Sequence, residues 1–391
     1  MRILLINHFP LTGSGSGVYT ENIARSLKKY GHDVCIIFPD NQKTEKYEFK
    51  THPVYFNTEK IPFNFPCFTT HPRSTQTFYN LTKKELNIYI NSFKEAIEEE
   101  IKTFKPDIIH VGHIWILADI AANYNIPIVI TAHGTDIIGF TKSEKLKEYG
   151  ISAAQKTKAI IAISNENRQN VEKSYPFVKN KTIIIPNGYN QDVFYKENFP
   201  KKTVLKEIGI TKNYQKIVSF AGKFTKIKGI DVLLKAAQIY QNEDTLTILS
   251  GDGELFKEMI SLSKKLNLKN IKFLGNQPHK TLNKIYNISD IAVVPSREES
   301  FGLVVIEAMA TGTPVIGTKI GGIKDIINNK NGIFIEKDDD KDLAKNIIDV
   351  LSKKTTFDSE KIAGMAKKNY SQDKFTKELI KIYKNIIKNA C

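Results

Sequence analysis

Short runs of isoleucine and valine alternate with longer segments whose apolar residues recur every three or four positions, and the alternation extends over nearly the whole chain. In the first half, apolar runs at residues 2–6, 33–38, 107–111, 127–131, 159–163 and 182–185 predict strands. Most are continuous rather than alternating, as in strands covered by helices on both faces of a parallel sheet. Helical periodicity falls between them, at 18–30, 83–104, 143–158 and 165–174. After about residue 195 the pattern restarts. Strands are predicted at 216–221, 245–250, 271–274, 291–295, 314–317 and 332–335, and helices at 229–240, 254–266, 280–287, 303–310, 341–352 and 359–368.

This repeat predicts an α/β chain of two doubly wound, Rossmann-like domains, at 1–190 and 195–370, with the polar stretch 187–211, which contains Pro200, as the connection. Crossovers should be right-handed and ligands should bind at the carboxyl ends of strands, and in two such domains these ends can face each other across a cleft. Two segments stand outside the pattern. Residues 51–82 hold Pro53, Pro62, Pro66 and Pro72 among many aromatics and show no period. They read as a long irregular loop, the kind that often binds a ligand, with aromatics free to stack on an acceptor. Residues 374–389 form an amphipathic helical pattern, read as a helix (about 372–391) packing back on the first domain in preference to a membrane anchor.

Composition narrows the function classes. The chain has 391 residues and a formal net charge of +15, which favours anionic partners: nucleotides, phosphorylated substrates, acidic membrane surfaces or nucleic acid. A Lys-, Ile- and Asn-rich composition produces the same surplus without any such partner. No basic stripe is interleaved with aromatics, which argues against nucleic acid. Cys35, Cys67 and Cys391 are odd in number and widely spaced, so neither a disulfide framework nor a zinc knuckle is expected. Cys35 lies in an apolar run and is expected to be buried. The chain opens on a strand without a signal-peptide pattern, and no apolar run reaches the ~20 residues of a membrane span. The expectation is a soluble cytoplasmic protein, at most resting on the inner face of a membrane.

Four features carry chemistry. Gly13-Ser14-Gly15-Ser16-Gly17 follows the first strand, where glycines let the backbone approach a ligand and the next helix offers free N–H groups to an anion. Gly222-Lys223-Phe224-Thr225-Lys226-Ile227-Lys228-Gly229 follows the first strand of the second half, and its spaced lysines suit a diphosphate, although alone it also reads as a solvated basic turn. Pro295 to Ala308 runs from a strand end through a loop into a helix, with Glu299 on the loop and Glu307 inside the helix among Val304, Val305, Ile306 and Ala308. Carboxylates accept paired hydrogen bonds from vicinal hydroxyls, and an unpaired charge in that apolar setting would be costly. His133-Gly134-Thr135-Asp136 follows a buried strand and places a histidine at its carboxyl end. Two other clusters are set aside as metal sites. His110-Val111-Gly112-His113 lacks acidic partners, and Asp338-Asp339-Asp340 precedes a helical pattern it is suited to cap.

Taken in order, these elements resemble retaining glycosyltransferase family 4, a GT-B family with an E-x7-E signature, here Glu299 and Glu307. The set includes His133, Ser164 in Ile163-Ser164-Asn165, Pro186-Asn187-Gly188, the Gly222/Lys223 and Lys228-Gly229 pairs, and Gly251-Asp252-Gly253, and it covers nearly the whole chain. The resemblance implies an acceptor-binding first domain and a donor-binding second one. Lys223, where many relatives carry arginine, and Lys228 would hold the donor diphosphate; lysine keeps the charge there but lacks the planar fork. Glu307 would bind ribose hydroxyls and Glu299 the sugar, with Ser300, Phe301, Gly302, Leu303 and Val304 beside it. Gly15, Ser16, Gly17 and Gly251 would also line the donor site, and His133 would lie near C6 of the sugar. Glu299, His133, Lys228 and Lys223 are the candidate catalytic groups.

The implied reaction moves a hexose-type sugar from a UDP- or GDP-sugar to a hydroxyl of a glycan, lipid-linked or small-molecule acceptor, with retention and without a metal or other cofactor. The lysines would meet the charge of the departing diphosphate. Two rivals are kept: a sugar-nucleotide epimerase of similar fold and a non-catalytic nucleotide-sugar binding protein.

Overall fold

A computed structural model of the chain describes residues 1–43, 46–69 and 71–389, so Cys391 lies outside the described residues. The chain divides into two compact units, one holding Met1–Asn187 with the segment from Phe375 onward, the other Gly188–Lys374.

The first unit is built on seven parallel strands: β1 (Arg2–Ile6), β2 (Asp33–Asp40), β3 (Lys50–Tyr55), β4 (Ile108–Gly112), β5 (Ile128–Ala132), β6 (Ala159–Ala162) and β7 (Thr182–Ile184), in the order β3-β2-β1-β4-β5-β6-β7. Both faces are covered, which is why the strands read as unbroken apolar runs. Leu4 and Ile6 point into one layer with Cys35, Ile37, Tyr89 and Phe93. Ile3 and Leu5 point into the other with Ile23, Leu27, Phe375, Leu379 and Tyr383. The last three belong to the terminal helix Gln372–Lys388.

Three expectations for this unit need correction. Residues 51–82 are not wholly irregular, because β3 occupies their start. Its Pro53 lacks a donor, which an edge strand pairing only with β2 tolerates. The aromatics beyond β3 are not free for stacking: Phe56, Phe63, Phe65, Phe68 and Phe78 are buried in the core. The helix expected from residue 18 begins at Gly15, with Ser14 as its N-cap accepting from the Gly17 N–H, so Gly15, Ser16 and Gly17 form its first turn.

The second unit has six parallel strands: β8 (Lys216–Ala221), β9 (Thr245–Ser250), β10 (Ile271–Gly275), β11 (Ile291–Val294), β12 (Val315–Thr318) and β13 (Gly332–Ile335), in the order β10-β9-β8-β11-β12-β13. The stretch 187–211 is not simply a connection. It contains the helix Lys201–Glu207, whose Val204 and Leu205 pack on Ile217, Leu246 and Ile248. In each sheet the order reverses once, between β1 and β4 and between β8 and β11. Open α/β sheets bind ligands outside such a reversal. No helix among the described residues is long and apolar enough to cross a membrane.

Candidate functional site

In the second unit, the loops after β8 and β11 meet at the reversal. The turn after β8 is anchored by buried Phe224, whose N–H donates to the Asp252 carbonyl and whose carbonyl accepts from Leu255. It ends in the single turn Lys226–Lys228 and at Gly229, which is left-handed with φ 64°. A Cβ at 229 would stand 1.9 Å from the Pro295 carbonyl oxygen, so only glycine lets the two loops touch.

Arg297 fastens that contact. Its guanidinium donates two bonds to Asp231, at 2.9 and 2.8 Å, one to Asp338 at 2.6 Å and one to the Lys226 carbonyl at 2.6 Å, while its backbone N–H reaches the Ile227 carbonyl. The hydrogen bond to Asp231 is the largest influence holding the guanidinium charged. Asp339 caps the helix Asp340–Leu351, as the sequence suggested, but Asp338 serves this latch. From the far side, Gly322 donates to the Glu299 carbonyl at 3.2 Å, and a Cβ at Gly321 would lie 1.6 Å from that same oxygen.

The result is a fixed pair: Lys228 Nζ donates to Glu299 Oε2 at 2.6 Å, with both side chains largely buried. Gly302, at φ 104°, opens the helix Leu303–Ala310, leaving the N–H groups of Leu303 and Val304 at its start. Glu307, a turn further on, is half-buried, and desolvation pushes its carboxyl up to about 7. Ser300 is exposed and Phe301 is buried against Tyr370. Gly222 and Gly251 lie back to back, since a Cβ at 251 would be 1.9 Å from the Gly222 carbonyl oxygen. Lys223 is exposed and makes no salt bridge among the described residues. Around these groups the hydroxyls of Thr225, Ser250 and Ser296 are enclosed yet without a hydrogen-bond partner among the described residues. Sequence reasoning passed over these hydroxyls, although a serine closing an apolar strand run was a signal for the last two.

In the first unit, the reversal is lined by imidazole and aromatic rings. His8 is fully buried, donates from Nδ1 to the Gly112 carbonyl at 3.0 Å and accepts from the Leu117 N–H at Nε2. Burial pushes it down to about 3. His113, at φ 75°, is buried and packs at 4.7 Å from His133, whose other face meets Tyr19 at 4.8 Å. Desolvation holds both His113 and His133 well below the usual imidazole range, with His8 lowering His113 further and His113 lowering His133. The corner carrying His133 is set by Asp136. Its two carboxylate oxygens accept from the Gly134 N–H at 2.8 Å and the Ile114 N–H at 2.9 Å. Asn7 Oδ1, His113 Nδ1 and His133 Nε2 are enclosed polar atoms without hydrogen-bond partners among the described residues. A Cβ on Gly112 would come within 2.8 Å of the first and 3.7 Å of the last, so Asn7 and His133 converge on the same small space. Asn7 and His8 were not anticipated, because they follow β1 singly and form no motif.

His110 and His113 do not act as a pair. His110 Nδ1 lies 2.5 Å from the Tyr383 hydroxyl and its Nε2 lies 2.7 Å from the Thr131 hydroxyl, which also bonds Tyr19. Of the sequence-selected residues, Glu299, Gly302 and Glu307 share the loop and helix start after β11, Lys228 reaches Glu299 from the turn after β8, Lys223 on that same turn makes no salt bridge among the described residues, and Gly15, Ser16, Gly17 and His133 belong to the first unit.

Residues 13–193 match glycosyltransferase family 4, and residues 201–372 match the glycosyl transferases group 1 family. The N-acetyl-alpha-D-glucosaminyl L-malate synthase of Bacillus anthracis is 28% identical over 362 residues, covering 88% of this chain and 86% of that one. Among solved structures, sucrose-phosphate synthase from Thermosynechococcus elongatus superposes with a TM-score of 0.77 at 20% identity, over 100% of both chains. Anabaena HepE in complex with UDP superposes with a TM-score of 0.77 at 17% identity, over 98% of this chain and 100% of that one. The similarity of fold is thus retained at identities where most side chains differ.

Proposed function

We propose that this chain, which belongs to glycosyltransferase family 4 and has the GT-B architecture of two Rossmann-like units, moves a hexose-type sugar from a UDP- or GDP-sugar to an acceptor hydroxyl with retention at the anomeric carbon. The second unit holds the donor and the first the acceptor. Relatives of this chain are named as an N-acetyl-alpha-D-glucosaminyl L-malate synthase and as D-inositol 3-phosphate glycosyltransferases, and solved neighbours hold UDP or UDP-glucose, which is the kind of donor proposed here. The acceptor is a small polyol or a glycan or lipid-linked hydroxyl, and the enzyme works in the cytoplasm.

The observation that supports the reading most is the Lys228–Glu299 pair at 2.6 Å, held on a loop that Arg297, Gly229 and Gly321 fix from three sides. An ion pair held at the carboxyl ends of β8 and β11 offers both signs to one ligand: Lys228, with Lys223, to an anionic diphosphate, and Glu299 to sugar hydroxyls. Glu307 accepts from the ribose diol, with the amides of Phe301, Gly302, Leu303 and Val304 nearby. Gly222 and Gly251 let the backbone approach the nucleotide, and Gly15 and Ser16 offer amides to a diphosphate oxygen, with Gly17, whose N–H is taken by Ser14, letting the turn lie close. His133, neutral, contacts the sugar near C6.

Chemistry follows from leaving-group stabilisation. As the bond from the anomeric carbon to the diphosphate oxygen lengthens, negative charge grows on the diphosphate and the lysines meet it. The acceptor attacks on the face the diphosphate leaves, and a departing phosphate oxygen takes its proton. With Glu299 occupied in holding hydroxyls, no covalent glycosyl-enzyme is invoked. No metal step is needed, and EDTA should leave turnover intact.

The test is nucleotide release from UDP- and GDP-sugars, with and without candidate acceptors, and the anomeric form of the product by NMR. Release that requires acceptor is expected. Release or isomerisation of donor without one would favour the epimerase reading, and binding without turnover a non-catalytic sensor. An inverted product would overturn the same-face mechanism. Glu299→Ala should cut acceptor-dependent release about 100- to 1,000-fold while sparing most of the nucleotide affinity, read by thermal shift.

A further inference from the structure

The terminal helix Gln372–Lys388 buries one side completely. Phe375, Thr376, Leu379 and Tyr383 are within the core of the first unit, with Thr376 bonded to Ser26 at 2.7 Å and Tyr383 to His110. Its apolar face is therefore spent on the protein, and the membrane-anchor alternative, which needs that face in the lipid, does not hold. The opposite face carries something the packing does not require. Lys377, Lys381, Lys384 and Lys388 are all exposed and spaced by 4, 3 and 4 residues. At about 100° per residue they fall within an arc of roughly 60°, a straight row about 16 Å long. None of the four makes a salt bridge among the described residues.

Neighbouring elements extend the charge. Lys28 is exposed at the end of the helix Gly15–Lys29, which the Ser26–Thr376 bond ties to this one, and its one salt-bridge contact among the described residues is at 4.0 Å to Asp33. Lys384 lies near enough to His32 to lower its affinity for a proton, an effect secondary to burial. At its far end the row meets a cavity of about 470 Å³ lined by Asp107, Tyr124, Lys156, Lys158, Ile387 and Asn389. Lys156 there is engaged by Asp119 at 3.5 Å, while Lys158 makes no salt bridge among the described residues.

We propose that the outward lysine face of the terminal helix is a docking surface for an anionic lipid bilayer, which holds this enzyme at the membrane by charge alone, without insertion. The residue chemistry favours a membrane over nucleic acid. The row contains lysines and no arginine or aromatic ring, so it has point charges on flexible stems suited to mobile anions and nothing on which a base can stack. Clusters of about four to eight basic residues on an amphipathic helix are a pattern that recognises anionic lipid, each residue adding to the attraction near the surface. The attraction is purely electrostatic and therefore weakens steeply with salt.

The proposal stands apart from the sugar chemistry and is tested on the full chain by co-sedimentation with phosphatidylcholine vesicles, with and without phosphatidylglycerol, at low and high salt. The parent should sediment only with the anionic vesicles and be released by salt. Replacing all four residues (K377Q, K381Q, K384Q, K388Q) should lower vesicle affinity on the order of 100-fold. A charge-matched control on the second unit (K257Q, K264Q, K265Q, K269Q) should retain it. The proposal is overturned if the parent does not prefer anionic vesicles, if the helix variant binds undiminished, if both variants lose affinity alike, or if the helix variant loses affinity for RNA but not for vesicles. Nucleotide release in vesicle-free buffer should be the same in the helix variant and the parent. An absence of release in both would count against the transferase reading and leave the vesicle result standing.

Discussion

The two strand-order reversals share a plan and differ in chemistry. Between β8 and β11 the second unit gathers charge: Lys228 against Glu299, Arg297 against Asp231 and Asp338, and Glu307 alone in an apolar helix. Between β1 and β4 the first unit gathers rings: His8, His113, His133, Phe9 and Phe68, with every one of these imidazoles held neutral by burial. One end is suited to a ligand with formal charge and a diol, the other to neutral hydroxyls. The scaffolding differs in the same sense. The charged loop depends on backbone contacts that exclude any Cβ, at Gly229 and Gly321, whereas the ring-lined corner depends on a carboxylate, Asp136, bridging two backbone N–H groups. Duplicated topology has thus been specialised through loop chemistry while the sheets stayed alike.

The contrast is tested most strongly at Glu307. Its folded carboxyl lies at about 7 against an ordinary value of 4.5, so between those values the folded state holds a proton that the unfolded chain releases. Stability is therefore full below pH 4.5 and is lost as pH rises through 7, by up to about 3 kcal/mol. Glu307→Gln removes that loss. The variant should melt higher than the parent at pH 8 and with it at pH 4.5. Donor binding should move oppositely, because only the ionised carboxylate accepts both hydrogen bonds from a diol. The parent's donor KM should rise as pH falls below 7, and the variant's should be higher and flat. A variant no more stable than the parent at pH 8 would mean the carboxylate has a partner in solution.

What the sequence disclosed and what it hid follow from range. Twelve of the strands and the E-x7-E helix rest on local pattern, and their predicted bounds agree with the structure to within a residue or two. β3 was hidden because Pro53 and a mixed polar sequence are allowed only at a sheet edge, a fact about neighbours rather than about the segment. The helix Lys201–Glu207 was hidden by its lysines, with only Val204 and Leu205 marking the buried side. Glu299, Lys228 and His133 could be selected from motif and position. Their supports could not, because Arg297 reaches Asp231 across 66 residues and Tyr383 reaches His110 across 273. Gly229 and Asp136 stood inside quoted motifs, yet their supporting roles became clear only from the Pro295 carbonyl and the Ile114 and Gly134 N–H groups they face, and the Gly321-Gly322 pair acquired a reason only from the Glu299 carbonyl beneath it.

A smaller effect is expected in the first unit from Asp136→Asn. The carboxylate is fully buried and accepts two backbone N–H groups. An amide accepts one and presents its own N–H to the other, leaving a buried donor unmatched at a cost of about 2 kcal/mol. For a unit of this size that is a loss of roughly 4–8 °C in Tm. Turnover should fall with it, since Gly134 adjoins His133. Unchanged melting would show that the corner is held by its rings rather than by the carboxylate.

The smallest expected effect is none at all, and it is the most direct check on the neutral character of the first unit. His8 and His110 are pushed down to about 3, and His113 and His133 lie well below the usual imidazole range, in each case foremost through burial. Between pH 5 and 8 the ring NMR signals of all four should not move. The tautomers should differ from one to the next. The buried Tyr383 hydroxyl, 2.5 Å from His110 Nδ1, is expected to donate to it, which would place the His110 proton on Nε2, facing the Thr131 hydroxyl at 2.7 Å. His8 carries its proton on Nδ1, facing the Gly112 carbonyl, and accepts at Nε2 from Leu117. Nitrogen-15 shifts of the labelled rings distinguish the two forms. A midpoint near 6.5 for His133 would place a titrating cation in the first unit. The division between a charged reversal in the second unit and a neutral one in the first would then no longer describe the molecule.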